Sequence, residues 1–340
     1  MIKVLVVDDS AFMRQIFKDT INNQPDLKVI ATARNGSNAL DLLSEINPDV
    51  ITLDVEMPVK NGLDTLQEIK KLKKSIPVIM ISAIDNRETV IKALDLGAFD
   101  FIPKPSGTIS LDIDSIKKRL ITKIKAAAGA PKKTPVVKKI KAYNKNIHTD
   151  KDFPIIAIGA SSGGPKALKH ILTSFSDDFP GALLIVQHMP AGFTTSLAKH
   201  LNQQCQIKIR EAEENDKIEK GKALLAPGDY HLEVTDKNRV SLNQKPPQWG
   251  VRPCVDYMMV SAARTFKHRV IGVILTGMGH DGGEGMEAIK KYNGYGIVED
   301  KSTALVYGMP STTIKKGAYD QISPLDKIPA AIIKIIERRY

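Results

Sequence analysis

Blocks of apolar residues recur along the first 125 positions, at 2–7, 28–32, 50–53, 78–81 and 99–102, each of a length suited to a buried strand. The stretches between them repeat with a helical period. Over 11–22, Phe12, Ile16, Phe17 and Ile21 fall toward one face, and 38–46 and 63–72 behave alike. A further helix is expected over 112–128. Five strand-then-helix units with short connections predict a parallel sheet wrapped by helices on both faces. Residues 126–152 break the rhythm with alanines, Pro131, Pro135 and many lysines, and no periodic apolar face, so they read as a flexible linker. Residues 153–340 resume it. Strand-like runs at 153–159, 182–188 and 270–277 precede helical candidates at 165–173, 194–204 and 285–292, which predicts a second parallel α/β domain. The segment 222–242 alternates around turn residues and predicts antiparallel hairpins.

Composition adds limits to that picture. A length of 340 residues accommodates two domains, and 42% hydrophobic with 26% charged residues is ordinary for a globular chain. Cys205 and Cys254 have no metal-ligand spacing and make no disulfide framework, so a reducing, cytoplasmic setting is expected. The apolar opening is cut off by Asp8 and Asp9, too early for the core of a secretion signal, and no apolar run is long enough to span a membrane. A net charge of +11 raises nucleic acid as a partner. The excess lysines, among them Lys132, Lys133, Lys138, Lys139, Lys141, Lys145 and Lys151, crowd the linker, which a solvated spacer explains. Residues 153–340 carry no helix-turn-helix pattern, so a nucleic-acid-binding regulator is set aside.

Two constellations carry chemistry. Asp8 and Asp9 follow the first strand, and Asp54 follows the third. In a doubly wound sheet of order 2-1-3-4-5 those strands are neighbours, so three carboxylates meet outside the strand ends. Such a cluster repels itself unless a cation joins it, and all-oxygen ligation suits magnesium. Ser82 ends the fourth strand, and Lys104 and Pro105 follow the fifth. A cation site, an ammonium and a hydroxyl around one carboxylate form a phosphoryl-transfer site with Asp54 as the attacking group. Any one of these acids alone would more often be a helix cap or turn acid; the set at matched strand ends argues otherwise.

In the second domain, Gly159-Ala-Ser161-Ser-Gly163-Gly164-Pro165 joins a strand to a helix and would hold Ser161 above the sheet edge. His188 ends the next strand and Asp281 follows a third. Together they provide a nucleophile, a base and an orienting carboxylate, and the glycine-rich turn at Gly277, Met278 and Gly279 offers backbone N–H groups to an oxyanion. The chain order Ser, His, Asp differs from the Ser, Asp, His of α/β-hydrolases. Alternatives are Ser162 as nucleophile, His280 as base, or a phosphate cradle at 159–165, although that loop fits neither common phosphate-binding pattern.

The motifs VDDSAFMRQ, LDVEMPVKNG, MISA and FIPKP resemble the receiver domain of two-component response regulators over residues 1–125. The resemblance implies a flavodoxin-like fold, Asp54 as phosphoacceptor, magnesium held by Asp8, Asp9, Asp54 and the Glu56 backbone carbonyl, Ser82 and Lys104 as the groups that respond to the phosphoryl, and a histidine kinase as donor. Over 153–340, IGASSGGPKAL, QHMPAGFT, APGDYHL, RPCVDYMM, LTGMGHDGGEGM and YGMP resemble the CheB family of chemotaxis protein-glutamate methylesterases. That likeness implies a Rossmann-like catalytic domain with an antiparallel hairpin and no cofactor in the esterase site. The residues matching its triad are Ser161, His188 and Asp281, and the one matching its oxyanion donor is the Met278 N–H. The implied substrates are glutamate γ-methyl esters, and specific glutamines, on methyl-accepting chemoreceptors. The implied control is a receiver that covers the active-site face until phosphorylated. The family usually has threonine at the place of Ser162, serine at Cys254 and asparagine at His280.

Overall fold

The computed structural model describes residues 1–72, 76–83, 86–104, 109–130 and 152–339. The chain divides into two compact units, Met1–Lys132 and Lys133–Tyr340. Pro105 and the linker lysines lie outside the described residues, and the helix before the linker runs to Ala128.

In the first unit the strands are β1 (Ile2–Val7), β2 (Leu27–Ala33), β3 (Val50–Asp54), β4 (Val78–Ser82) and β5 (Asp100–Pro103). They lie in the order β2-β1-β3-β4-β5, all parallel, as a doubly wound sheet requires. Helices α1 (Ala11–Asn22), α2 (Gly36–Glu45), α3 (Gly62–Lys71), α4 (Arg87–Asp95) and α5 (Ile109–Ala128) connect and follow them. Every residue of β3 and β4 is buried, which is why these strands read as unbroken apolar runs. Short polar side chains set where helices begin: Ser10, Asn35 and Asn61 accept hydrogen bonds from the N–H groups of Met13, Asn38 and Asp64. The apolar stripe expected on α1 is narrower than drawn. Phe17 and Ile21 are buried, but Phe12, rotated about 140° from Phe17 at 100° per residue, is 60% exposed.

The second unit adds β6 (Ile155–Ala160), α6 (Gly164–Leu172), β7 (Ala182–Gln187), α7 (Phe193–Gln204), β8 (Lys208–Glu211), β9 (Lys222–Leu225), β10 (His231–Val234) and β11 (Val240–Asn243). After these come α8 (Val255–Phe266), β12 (Val270–Ile274), α9 (Gly283–Lys291), β13 (Tyr295–Glu299), α10 (Gly308–Lys315), β14 (Gln321–Ser323) and α11 (Ile328–Arg339). Seven strands form one parallel sheet, β14-β13-β12-β6-β7-β9-β8. The expectation of hairpins throughout 222–242 needs correcting. Only β10 and β11 pair antiparallel, whereas β9 lies in the parallel sheet between β7 and β8. The reason is burial: three consecutive residues of β9, Ala223–Leu225, are covered on both faces, so it does not alternate. Chain order reverses direction across the sheet at β6, flanked by β12 and β7, and β6, β7 and β12 all run toward one edge. That is the topological switch point, where ligands bind beyond the carboxyl ends of strands.

Candidate active site

On the first unit, Asp8, Asp9 and Asp54 each offer an oxygen within 4.8 Å of the others. Asp8 and Asp54 are buried and Asp9 is exposed. Burial pushes the Asp8 carboxyl up, and pushes Asp54 up to about 6, against the lowering pull of Lys104. Lys104 places Nζ 2.6 Å from Asp54 Oδ2 and 3.3 Å from Asp8 Oδ2. Burial disfavours its charge, but the Asp54 and Asp8 carboxylates outweigh that and raise its pKa. Asp8 Oδ2 is a buried oxygen with no partner beyond that 3.3 Å contact to Lys104. A crowded set of oxygens, one of them with a single long contact, fits a hard divalent cation. The Glu56 N–H lies 3.4 Å from Asp54 Oδ1. Ser82 is fully buried, and its hydroxyl donates to the Ala83 carbonyl (3.0 Å) rather than to Asp54.

On the second unit, β6 and β7 pair so that Ala160 faces Gln187, and the next residues along are Ser161 and His188. His188 Nε2 lies 2.7 Å from Asp281 Oδ2. Ser161 is half-buried in a turn with three tethers. Its N–H donates to the Thr276 carbonyl (3.0 Å), and its carbonyl accepts from Gly164 N–H (2.8 Å) and Gln187 Nε2 (2.9 Å). The turn needs Gly163, whose φ is +79°, and Gly277, where a Cβ would lie 2.9 Å from Ser161 Cβ and 2.2 Å from Met309 Sδ. The backbone after β12 therefore comes right up against the Ser161 side chain. The Gly277 N–H is taken by the Val306 carbonyl (2.9 Å), which leaves Met278 as the next donor along that turn.

Asp281 is 1% exposed and accepts from five donors: His188 Nε2, Cys254 Sγ, and the N–H groups of Val255, Asp256 and Gly282. Burial alone would raise its pKa, but the His188 hydrogen bond and charge, with the other donors, bring it below the ordinary carboxylate value. Val255 and Asp256 open α8, whose N-cap Cys254 makes no side-chain cap to it. Asp281 thus caps α8 from outside, where the helix dipole favours an anion. Asp256 returns the arrangement, because its Oδ1 accepts from Gly285 N–H (2.7 Å) in the first turn of α9, whose N-cap is Gly282. Asp256 Oδ2 also accepts from the Trp249 indole at 2.9 Å. Burial first, then the Asp281 charge, pushes the Asp256 carboxyl up. The same two causes keep the Cys254 thiol protonated, as a donor.

Ser162 is 6% exposed, poorly placed to meet a substrate. His280 is exposed and bonded to Thr312 Oγ1 (3.1 Å), away from the His188–Asp281 pair. The sequence reading missed Gln187, Thr276, Asp256 and Glu299, each a polar residue made relevant by packing, and it singled out Cys254 without a role for its thiol. The only local signal was their position at strand or helix ends.

Fold and site together define a response regulator of two units, an acid pocket on the first and a hydroxyl–imidazole–carboxylate group at the switch point of the second. Comparison with known proteins agrees: residues 156–332 match the CheB methylesterase family and residues 4–113 match the response regulator receiver domain. A protein of Pyrococcus horikoshii named protein-glutamate methylesterase/protein-glutamine glutaminase is 47% identical over 346 residues, covering 99% of this chain and 94% of its own. One of the same name from Clostridium acetobutylicum is 41% identical over 340 residues and 98% of each chain. The crystal structure of the Thermotoga maritima CheB methylesterase catalytic domain is similar with a TM-score of 0.53 and 40% identity, over 54% of this chain and 98% of that one. The chain belongs to the CheB methylesterase family. Among the described residues no helix is long and apolar enough to cross a membrane.

Proposed function

We propose that this chain hydrolyses glutamate γ-methyl esters, and deamidates specific glutamines, on methyl-accepting chemoreceptors, at a rate set by phosphorylation of Asp54. The observation that carries the reading is the 2.7 Å His188–Asp281 contact on a strand end paired with the one that bears Ser161. Ser161 Oγ attacks the ester carbonyl. With Nε2 committed to Asp281, His188 Nδ1 takes the serine proton, and Asp281 balances the imidazolium. The Met278 N–H donates to the oxyanion. Collapse of the tetrahedral species breaks the bond to methoxide, which leaves as methanol with the proton from His188. Water, deprotonated by His188, then attacks the glutamyl ester and releases free glutamate and Ser161. With glutamine the leaving group is ammonia.

In the receiver, Asp54 attacks phosphorus and accepts the phosphoryl group from a histidine kinase. Asp8, Asp9, Asp54 and the Glu56 carbonyl would hold magnesium, which supplies charge neutralisation for the phosphoryl oxygens when bound. Lys104, already 2.6 Å from Asp54, supplies an ammonium to the same oxygens. Ser82 turns its hydroxyl from the Ala83 carbonyl toward the phosphoryl, and that rotation passes the signal into the β4–α4 connection. The lysine-rich linker and a cytoplasmic location complete the reading.

Methanol release from a methylated receptor fragment tests it. Wild type should release methanol faster with acetyl phosphate and magnesium, and Ser161→Ala should release none. Undiminished release by Ser161→Ala would sink the serine mechanism, and no release from phosphorylated wild type would sink the reaction.

A further inference from the structure

One ionisable side chain lies fully inside the esterase unit, directly behind the nucleophile, and has no part in the chemistry above. Glu299 ends β13 with no exposed surface. Its Oε2 accepts the Thr276 N–H (2.7 Å) and its Oε1 accepts the Thr303 hydroxyl (3.0 Å). Thr276 is the residue through which the two halves of the site meet. Its carbonyl accepts the Ser161 N–H (3.0 Å), and its Oγ1 donates to the Ser162 carbonyl (2.8 Å) and accepts from Val306 N–H (2.9 Å). Gly277 and Met278 come next. One residue therefore grips the serine turn through its carbonyl and leads into the oxyanion turn, and Glu299 holds that residue by its N–H.

We propose that Glu299 is a positioning residue: by fixing the Thr276 peptide it sets the separation between Ser161 and the Met278 N–H. A carboxyl is a costly thing to bury, and burial pushes this one up to about 7 despite its two hydrogen bonds. An apolar side chain of the same length would avoid that cost, but it would leave the Thr276 N–H buried without an acceptor. The demand at this place is for an acceptor at a fixed reach. An amide meets it: glutamine would accept from Thr276 with its oxygen and donate to Thr303 with its nitrogen, while the Thr303 hydroxyl turns to the Asp300 carbonyl, 3.3 Å away.

This inference rests on Ser161 being the nucleophile. The full chain is used, in wild type, Glu299→Met and Glu299→Gln. One readout is the rate at which a fluorophosphonate labels Ser161, and the other is kcat and KM for methanol release from a methylated receptor fragment. Glu299→Met should slow both labelling and kcat by about tenfold or more, the scale at which sub-ångström misplacement acts. KM should stay within about twofold, because the surface that meets substrate is unchanged. Glu299→Gln should restore both rates to within about threefold of wild type. A Glu299→Met chain as fast as wild type, or a Glu299→Gln chain as slow as Glu299→Met, would overturn the proposal. Should Glu299→Met not fold, Glu299→Asp replaces it, since Thr276→Val removes only the hydroxyl ties to Ser162 and Val306 and keeps the bond to Glu299. Glu299→Asp keeps an acceptor but shortens its reach: the same split is expected, and an unchanged kcat overturns the proposal. A wild type that labels but releases no methanol would refute the receptor-ester reading alone, since labelling still reports on Glu299.

Discussion

Two groups of buried carboxylates lie at or beyond the carboxyl ends of the strands in this chain, and the fold treats them in opposite ways. Asp281 is surrounded by five donors and held below its ordinary pKa. Asp8 and Asp54 share the Lys104 ammonium, each with one further donor, the N–H of Ser10 and of Glu56 respectively, and both are pushed up. The difference suits the roles proposed for each. On that mechanism Asp281 is a fixed negative charge throughout a catalytic cycle, which donors on every side favour, while Asp8 and Asp54 take up a cation and a phosphoryl group. Glu299 sides with the second group, with two donors and a pKa pushed up to about 7. In these groups, the number of donors tracks whether burial or solvation by the protein wins.

The comparison breaks most visibly at Asp281. Asp281→Asn replaces one acceptor oxygen by an NH2 that faces donors, so it should lose both the oriented imidazole and the α8 cap. The expected fall in kcat is about 10³–10⁴-fold, measured by methanol release; a loss under tenfold would mean that the five donors are incidental. Asp54→Ala is the matching test on the receiver. It should keep an esterase rate but show no stimulation by acetyl phosphate with magnesium, and full stimulation would sink the phosphoryl-uptake reading. Next is Glu299→Gln, read by urea unfolding against pH. Below about pH 4.5 folded and unfolded chains both carry the protonated acid, so variant and wild type should differ least. Between there and about pH 7 the unfolded wild type ionises first, and its stability falls relative to the variant; above about pH 7 the gap stays constant at roughly 1–3 kcal/mol. A pH-independent gap would show that Glu299 titrates normally. The smallest effect should come from Cys254→Ala, which removes one of Asp281's five donors and costs roughly 1 kcal/mol of stability, with kcat within about threefold. A drop comparable with Asp281→Asn would make the thiol indispensable.

Much of this was legible from residue order. The five receiver strands appeared as apolar runs, and Asp8, Asp54 and Lys104 sat at their ends, where the fold brings them within hydrogen-bonding or ionic reach. Ser161 and His188 stand out as the residues just after two strands, where β6 and β7 end, and Asp281 as lying after a third, although it sits further on, in the turn between β12 and α9. What escaped depends on packing between distant segments. Whether residues 222–225 join a hairpin or a parallel sheet depends on what covers their second face. Phe12 looked like part of a buried stripe until the width of the covered face was known. Helix α8 went unread although Val255, Met258, Met259, Ala262, Ala263 and Phe266 repeat with a clear helical period. Glu299 and Asp256 gave no warning, since an acid at a strand or helix end is normally exposed, and only the fold puts an N–H opposite each.

The exchange of caps between α8 and α9 has a consequence for how this enzyme fails. Asp281 starts one helix and Asp256 starts the other, so neither helix can begin properly unless both are in place. The imidazole takes its orientation from the same carboxylate. Heat, denaturant or a distant destabilising mutation that separates the pair therefore unsettles both helix starts and the imidazole in a single event.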